Sequence, residues 1–356
     1  MEFTNLSRYM SVNGSVLTPF RELRTMQPVL MEQNLQLLND PDNIYYADSL
    51  AKQGVVVVPI RRRPPSEKYL KRNTFPRRIL FEMTSRCNFL CRMCPQQNLT
   101  RPRMDMPGDV YRRVIDEIDS YGVEGIWLYH LGESLLHPEF RENIKHISSK
   151  KNLGVIWMST NGQHFTEENI ETVLDSNIDY INFSAHAVTE ETYKTVISVE
   201  GVFKIVQSNL ENFYRLKSSG SLPRKPFLHC QMIEQETTKH EVDAFLEAHY
   251  DRAEIVSVNM LEYVNLPNNK FGLKQRVRNP LSNCLRVSRN DCFICSNGHV
   301  TLCDAAYNGE LFLGNIHEQT LYEIWNGEKR KKIIEFNEKG LMCNIDFCRR
   351  CTDYDI

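Results

Sequence analysis

Phe81-Glu82-Met83-Thr84-Ser85-Arg86-Cys87-Asn88-Phe89-Leu90-Cys91-Arg92-Met93-Cys94-Pro95 carries three thiols within eight residues, directly behind a strand-like run over 79–83. Three thiolates so close can converge on one small object. They are one ligand short of a tetrahedral zinc site, and no nearby histidine offers the fourth. Soft thiolates suit an iron–sulfur cluster, and a cubane held by three cysteines leaves one iron open to a chelating small molecule.

Around this loop the chain alternates. Strand-like runs fall at 79–83, 125–131, 155–159, 178–184, 227–233 and 255–260, with helical stretches at 109–121, 138–150, 166–176, 202–216 and 237–250. The helix over 109–121 has Pro107 ahead of it, Gly122 behind it, and Val110, Val114 and Ile118 on one face. Six strands alternating with five helices predict βα units and a parallel sheet. Right-handed crossovers would curl that sheet into a partial (β/α)6 barrel, with chemistry at the carboxyl ends of the strands. The expected organisation is an N-terminal extension and basic linker over 1–78, the barrel over 79–279 and a small domain over 280–356. The extension predicts a helix near 21–38 and a strand over 55–60. Residues 61–78 hold eight basic side chains against one acid, which reads as a solvated linker or, more sharply, an anion-binding lip.

Composition narrows the classes. The chain has 356 residues, 41% hydrophobic and 25% charged, enough for a real core. With 43 basic and 45 acidic residues it has no general attraction for nucleic acid or an anionic membrane. The start is polar, and the apolar run over 54–60 is too short to span a bilayer. Nucleic-acid, membrane and secreted readings are therefore set aside. Eleven cysteines without an export signal point to the reducing cytoplasm and to metal or redox chemistry. Beyond the first three, Cys230 stands alone, and Cys284, Cys292, Cys295, Cys303, Cys343, Cys348 and Cys351 crowd the last part of the chain.

The CxxxCxxC loop resembles the signature of the radical S-adenosylmethionine superfamily. Leu131-Gly132-Glu133-Ser134-Leu135-Leu136-His137-Pro138 is similar to that family's GGEPLLHP segment, and Ser159-Thr160-Asn161-Gly162 to its STNG segment. Ser184, inside INFSAHA, stands where the family often reads SIDGA. Four such matches fall in order at successive strand ends. The resemblance implies that Cys87, Cys91 and Cys94 hold a 4Fe–4S cluster whose open iron chelates S-adenosylmethionine. It implies that Gly132, Glu133, Ser159, Asn161 and Ser184 contact that cofactor. An electron from a carrier such as flavodoxin or ferredoxin then yields a 5′-deoxyadenosyl radical that abstracts a hydrogen atom from substrate. Several positions depart from the pattern: Leu131 replaces the first glycine and Ser134 the proline of GGEPLLHP, Ile197 replaces an arginine, with Lys194 as a possible substitute, and Met93 replaces an aromatic residue.

After 280 the alternation stops. Asn297-Gly298 is a hairpin signal, and Thr320 caps a helix through Leu321, Ile324 and Trp325. Short elements rich in cysteine suggest a domain held partly by metal. The region looks like the C-terminal extension called SPASM, or its shortened twitch form. That likeness implies one auxiliary 4Fe–4S cluster on Cys284, Cys303, Cys348 and Cys351. Cys292 or Cys295 could replace a ligand, share a second cluster with Cys343, or be buried strand thiols. Cys292, Cys295, Cys348 and Cys351 also have the ligand count of a zinc ribbon.

On the substrate side, His186 follows Ser184 by two residues, so alternation predicts one face and a possible base. Cys230 is a candidate hydrogen-atom donor or a buried small hydrophobe. The expected substrate is a small polar molecule such as a sugar or aminocyclitol, which is oxidised or epimerised. A peptide or protein substrate is the alternative, and a non-catalytic zinc or iron–sulfur scaffold is the rival from another class.

Overall fold

The computed structural model describes residues 10–12, 74–219, 226–249, 252–253, 255–260, 284–349 and 351. The helix expected near 21–38, the strand over 55–60 and most of the basic stretch lie outside the described residues. The strands are β1 (Met10–Val12), β2 (Arg78–Phe81), β3 (Gly125–Trp127), β4 (Val155–Thr160), β5 (Tyr180–Ser184), β6 (Phe227–Glu234), β7 (Ile255–Met260), β8 (Asp291–Ile294), β9 (His299–Thr301) and β10 (Phe312–Asn315). The helices are α1 (Gly108–Tyr121), α2 (Phe140–Ser148), α3 (Glu167–Leu174), α4 (Glu190–Ile197), α5 (Phe203–Ser219), α6 (Val242–His249), α7 (Leu285–Ser288), α8 (Leu321–Trp325), α9 (Glu328–Glu338) and α10 (Asp346–Arg349). This is the parallel α/β fold that the alternation predicts. The chain divides into two compact units: Met1–Arg62, Phe89–Met93 and Met158–Leu261 form the first, and Arg63–Asn88, Cys94–Trp157 and Glu262–Ile356 the second.

In the second unit, β2 lies parallel to β3, and β3 parallel to the start of β4. Along β2, Ile79 and Phe81 are buried between half-buried neighbours, and the Phe81 ring stacks on Tyr111 of α1 with centroids 4.2 Å apart. Pro107 caps α1, and Gly122 (φ 77°) ends it by donating its N–H to the Ile118 carbonyl. That helix buries Tyr111, Val114, Ile115 and Ile118, each contributing roughly 1.5–3 kcal/mol. The expected second strand is shorter than 125–131: it stops at Trp127, because the Leu131 N–H turns away to the Glu82 carboxylate at 3.3 Å. The C-terminal region does not stand apart from this sheet. β8 adds parallel to the free edge of β2, with Arg78 opposite Asp291 and Phe81 opposite Ile294. β9 and β10 follow antiparallel, around the hairpin expected at Asn297-Gly298.

In the first unit, β5, β6 and β7 are parallel, and β1 pairs antiparallel with β7. Ile181, Phe183, Leu228, Cys230, Met232, Val256 and Val258 make one buried apolar face. Tyr214 of α5 and His249 of α6 lie on that side, since the Tyr214 hydroxyl meets Cys230 Sγ at 3.5 Å and His249 Nδ1 at 3.3 Å. Between β5 and β6 there are two helices where the pattern predicts one. Ser198 (φ 57°) ends α4 in the left-handed region, an uncommon conformation for serine that composition does not announce.

Candidate active site

The chain reaches Cys87 along a pinned path. The Ser85 N–H donates to the Met104 carbonyl at 3.0 Å, and the Met104 N–H to Ser85 Oγ at 3.0 Å. Arg86 forks onto Asp105 at 2.9 and 2.7 Å and reaches the Leu136 carbonyl at 2.9 Å. Past the loop, Cys94 Sγ accepts from the Gln96 N–H at 3.5 Å, capping the tight turn Pro95–Asn98. The Gln96 side chain returns to the Ser85 carbonyl at 3.1 Å, so the loop's entrance and exit are tied to each other.

Cys87, Cys91 and Cys94 form no disulfide and are half-buried. Burial pushes the Cys94 thiol up, which disfavours the thiolate unless a positively charged iron lies beside it. Gly132 closes against this segment: a methyl group there would collide with the Thr84 carbonyl. The Glu133 N–H donates to the Arg86 carbonyl at 2.9 Å. Glu133 is buried, and its carboxylate caps the turn Ser134–Leu136 by accepting from the Leu135 N–H at 3.3 Å. Three thiols in one eight-residue loop, with no carboxylate or imidazole among residues 87–94 to compete, fit an iron–sulfur cluster with an open iron. Among the described residues, no three His, Cys, Asp or Glu side chains converge as ligands of a single metal ion. Cubane thiolates each bind a different iron and stand farther apart.

Residues 89–93 belong to the first unit. The Leu90 and Arg92 N–H groups donate to the Ile197 and Val196 carbonyls at 3.0 and 2.9 Å. They satisfy acceptors that the end of α4 leaves open. Ile197 is a fully buried core residue, and Lys194 pairs at the surface with Glu200. Neither replaces the arginine of the family pattern.

The strand ends of the first unit carry the other expected residues. Ser159 Oγ accepts from Asn182 Nδ2 at 3.3 Å. Asn161 is buried and holds its own turn, accepting from the Gln163 N–H at 3.0 Å. Gly162 (φ 81°) packs under the Phe183 ring, where a side chain would collide. Ser184 ends β5 half-buried. His186 does not continue the strand's alternation, because its backbone turns left-handed (φ 59°) and its N–H donates to the Gln231 carbonyl at 3.1 Å. It is 7% exposed, and burial lowers its pKa to about 4. Cys230 lies on the helix-facing side described above and not with Asn182 and Ser184, because strand register and its Tyr214 contact put it on the other face.

Among the later cysteines, Cys303 is buried, and its thiol is raised by that burial and by Asp304, with Cys284 close enough to add to the effect. Cys284 is tied to α9, its N–H donating to Asn337 Oδ1 at 2.5 Å. Cys348 and Cys351 share one turn, the Cys351 N–H donating to the Cys348 carbonyl at 3.2 Å. Cys292 is a β8 core residue opposite Ile79 of β2, and Cys295 is equally buried, its thiol pushed up to about 12. Cys343 is half-buried in the tight turn Met342–Asn344.

Residue-type reasoning missed two groups. Buried Glu82 accepts from Arg101 Nη2 at 2.8 Å and from the Ser296 N–H at 2.8 Å, while Arg101 Nε reaches the Tyr307 carbonyl at 2.6 Å. Asn182 and Gln231 join across β5 and β6, with Asn182 Nδ2 donating to Gln231 Oε1 at 2.9 Å. The available signal was a polar residue at every second position of otherwise apolar strands.

Residues 81–222 match the family model of the radical SAM superfamily, and residues 284–352 that of an iron–sulfur cluster-binding domain, SPASM. The chain is similar to the tungsten-containing aldehyde ferredoxin oxidoreductase cofactor-modifying protein of Pyrococcus furiosus, 29% identical over 107 residues. That match spans only 30% of either chain. It is also similar to the S-adenosyl-L-methionine-dependent 2-deoxy-scyllo-inosamine dehydrogenase of Niallia circulans, 20% identical over 287 residues, 78% of this chain and 93% of that one. Among solved structures, BtrN in complex with AdoMet and 2-DOIA has a TM-score of 0.51 at 17% identity, covering 79% of this chain and 95% of that one. Streptococcus suis SuiB bound to precursor peptide SuiA has 0.52 at 13%, covering 86% and 76%. At these identities the two structures share the fold.

Proposed function

Since the chain belongs to the radical S-adenosylmethionine superfamily and carries a SPASM domain, we propose that it abstracts a hydrogen atom from a small polar substrate of the sugar or aminocyclitol type. The outcome is oxidation or epimerisation. Its cofactors are an S-adenosylmethionine-binding 4Fe–4S cluster, S-adenosylmethionine and an auxiliary iron–sulfur cluster. When bound, this set supplies the hydrogen-atom abstraction and one-electron capacity that protein side chains lack.

Cys87, Cys91 and Cys94 hold the first cluster in a loop pinned at both ends. Gly132 gives the close backbone approach, and buried Glu133 fixes the turn behind it. Ser159, Asn161 and Ser184 line the cofactor's contacts at the ends of β4 and β5. Cys284, Cys303, Cys348 and Cys351 hold the auxiliary cluster. Cys292 and Cys295 are core thiols: both are wholly buried, Cys292 in β8 opposite Ile79, and such thiols behave as small hydrophobes. His186, neutral at physiological pH, is a hydrogen-bond donor in the wall on this side. An electron carrier such as flavodoxin or ferredoxin serves the enzyme in the cytoplasm. Among the described residues no helix is long and apolar enough to cross a membrane.

The observation that carries the small-substrate reading is the match to the 2-deoxy-scyllo-inosamine dehydrogenase over 93% of that relative. The likeness to peptide-bound SuiB supports peptide modification as the second reading. The test is anaerobic turnover with S-adenosylmethionine, dithionite and ring-deuterated 2-deoxy-scyllo-inosamine. The expected result is 5′-deoxyadenosine that carries deuterium and disappears on Cys91→Ala. Deuterium transfer from a peptide alone would move the chain to the second reading.

A further inference from the structure

The two faces of the first unit's sheet differ in kind. One is apolar and packed by helices. On the other, Asn182 and Ser184 of β5 stand in register with His229 and Gln231 of β6, and Gln231 with Ser257 of β7. A strand covered on both faces ordinarily reads as a continuous apolar run. Polar groups in such a place cost free energy unless something bonds them.

Part of this face bonds itself. His229 Nε2 meets Ser257 Oγ at 2.7 Å. Asn182 Nδ2 donates both to Ser159 Oγ at 3.3 Å and to Gln231 Oε1 at 2.9 Å. The second of these bonds fixes the Gln231 amide. Its oxygen is committed to Asn182, so its Nε2 donor points elsewhere.

Where β5 ends beside Gln231 of β6, three polar groups open to solvent are left over, while Asn182 Oδ1 and His229 Nδ1 are sealed and unpartnered deeper in the face. Among the described residues, Gln231 Nε2, Ser184 Oγ and His186 Nε2 have no hydrogen-bond partner, yet they are not among the buried atoms sealed from solvent. His186 Nδ1, by contrast, is sealed and unpartnered. An orphaned buried acceptor is better tolerated than an orphaned N–H, so the proton belongs on the open Nε2. The His186 backbone, clamped to the Gln231 carbonyl, holds a left-handed conformation that only a rigid surrounding sustains. Among the described residues of this face there is no lysine or arginine. Neutral donors without a cation complement hydroxyl, ether or carbonyl oxygens, not phosphate.

We propose that Gln231 is a substrate-specificity residue, its amide oriented by Asn182 to donate Nε2–H to an oxygen of a small polyol beside His186. The proposal rests on the small-substrate reading above and adds the residue that recognises the ring oxygen. Asn182 is then a positioning residue that acts through Gln231.

The test measures binding to the anaerobically reconstituted enzyme with S-adenosylmethionine present, using 2-deoxy-scyllo-inosamine as the probe. Gln231→Leu and Gln231→Ala are expected to weaken probe binding about tenfold, the loss of one well-formed hydrogen bond in a desolvated site. S-adenosylmethionine affinity stays unchanged in both. Asn182→Leu weakens probe binding in the wild-type background and has no further effect in Gln231→Leu, a coupling that a purely structural role would not produce. Unchanged probe affinity in both Gln231 variants overturns the proposal and leaves the small-substrate reading intact. A tenfold loss confined to S-adenosylmethionine overturns it by giving the residue to the cofactor. A wild-type enzyme that binds a peptide but not the probe overturns the small-substrate reading, and this assignment with it.

Discussion

Gly132 and His229 show how much a single position can decide. At Gly132 there is no room for a methyl group, because the Thr84 carbonyl occupies the space. Gly132→Ala should cost about 1–3 kcal/mol of stability, read by urea denaturation, and reduce the iron retained after reconstitution. An alanine variant of wild-type stability and iron content would show that the close approach is dispensable. At His229, burial lowers the imidazole pKa to about 4, below the ~6.5 of an unfolded chain. As pH falls the unfolded state takes up the proton first. Stability therefore drops between about pH 6.5 and 4, by up to about 1.4 kcal/mol per unit. His186 acts in the same direction, while Asp291, raised to about 6 by burial, acts in the opposite one. Comparing urea melts of wild type and His229→Asn at pH 6.5 and 4.5 cancels those two groups. The variant should show the shallower loss, and equal slopes would contradict the assignment.

At the scale of elements, the Glu82–Arg101 pair matters most. It sits just past the end of β2 and gathers the Ser296 N–H, the Leu131 N–H and the Tyr307 carbonyl into one buried network. Removing one partner leaves the other charge buried and uncompensated. Arg101→Met should therefore cost about 3–5 kcal/mol, and Glu82→Leu combined with Arg101→Met distinctly less than the single change. A single variant as stable as wild type would remove the network from the account. The alternation of strands and helices, the Pro107 and Gly122 boundaries and the Asn297-Gly298 hairpin were all legible in the sequence, because each follows from local chemistry. The parallel pairing of β8 with β2 was not legible, since Asp291-Cys292-Phe293-Ile294 is too short for its apolar run to name a partner. The early end of β3 was hidden for a related reason. It depends on Leu131 bonding to a carboxylate 49 positions away.

At the scale of the molecule, two thiol groups define the chemistry. The CxxxCxxC loop was legible because spacing and strand-end position are both written locally. The later cysteines were only partly so: Cys292 and Cys295 are sealed in the core at 0% exposure, against 7% for Cys303 and 6% for Cys348, and that difference is a property of the fold. The most direct measurement is iron, sulfide and zinc per chain after anaerobic reconstitution, in wild type and in the Cys87/Cys91/Cys94→Ala variant. The account predicts about eight irons with matching sulfide in wild type and about four in the variant, with no zinc in either. About four irons and one zinc in wild type would contradict the auxiliary cluster, and an iron content unmoved by the triple substitution would contradict the account at its centre.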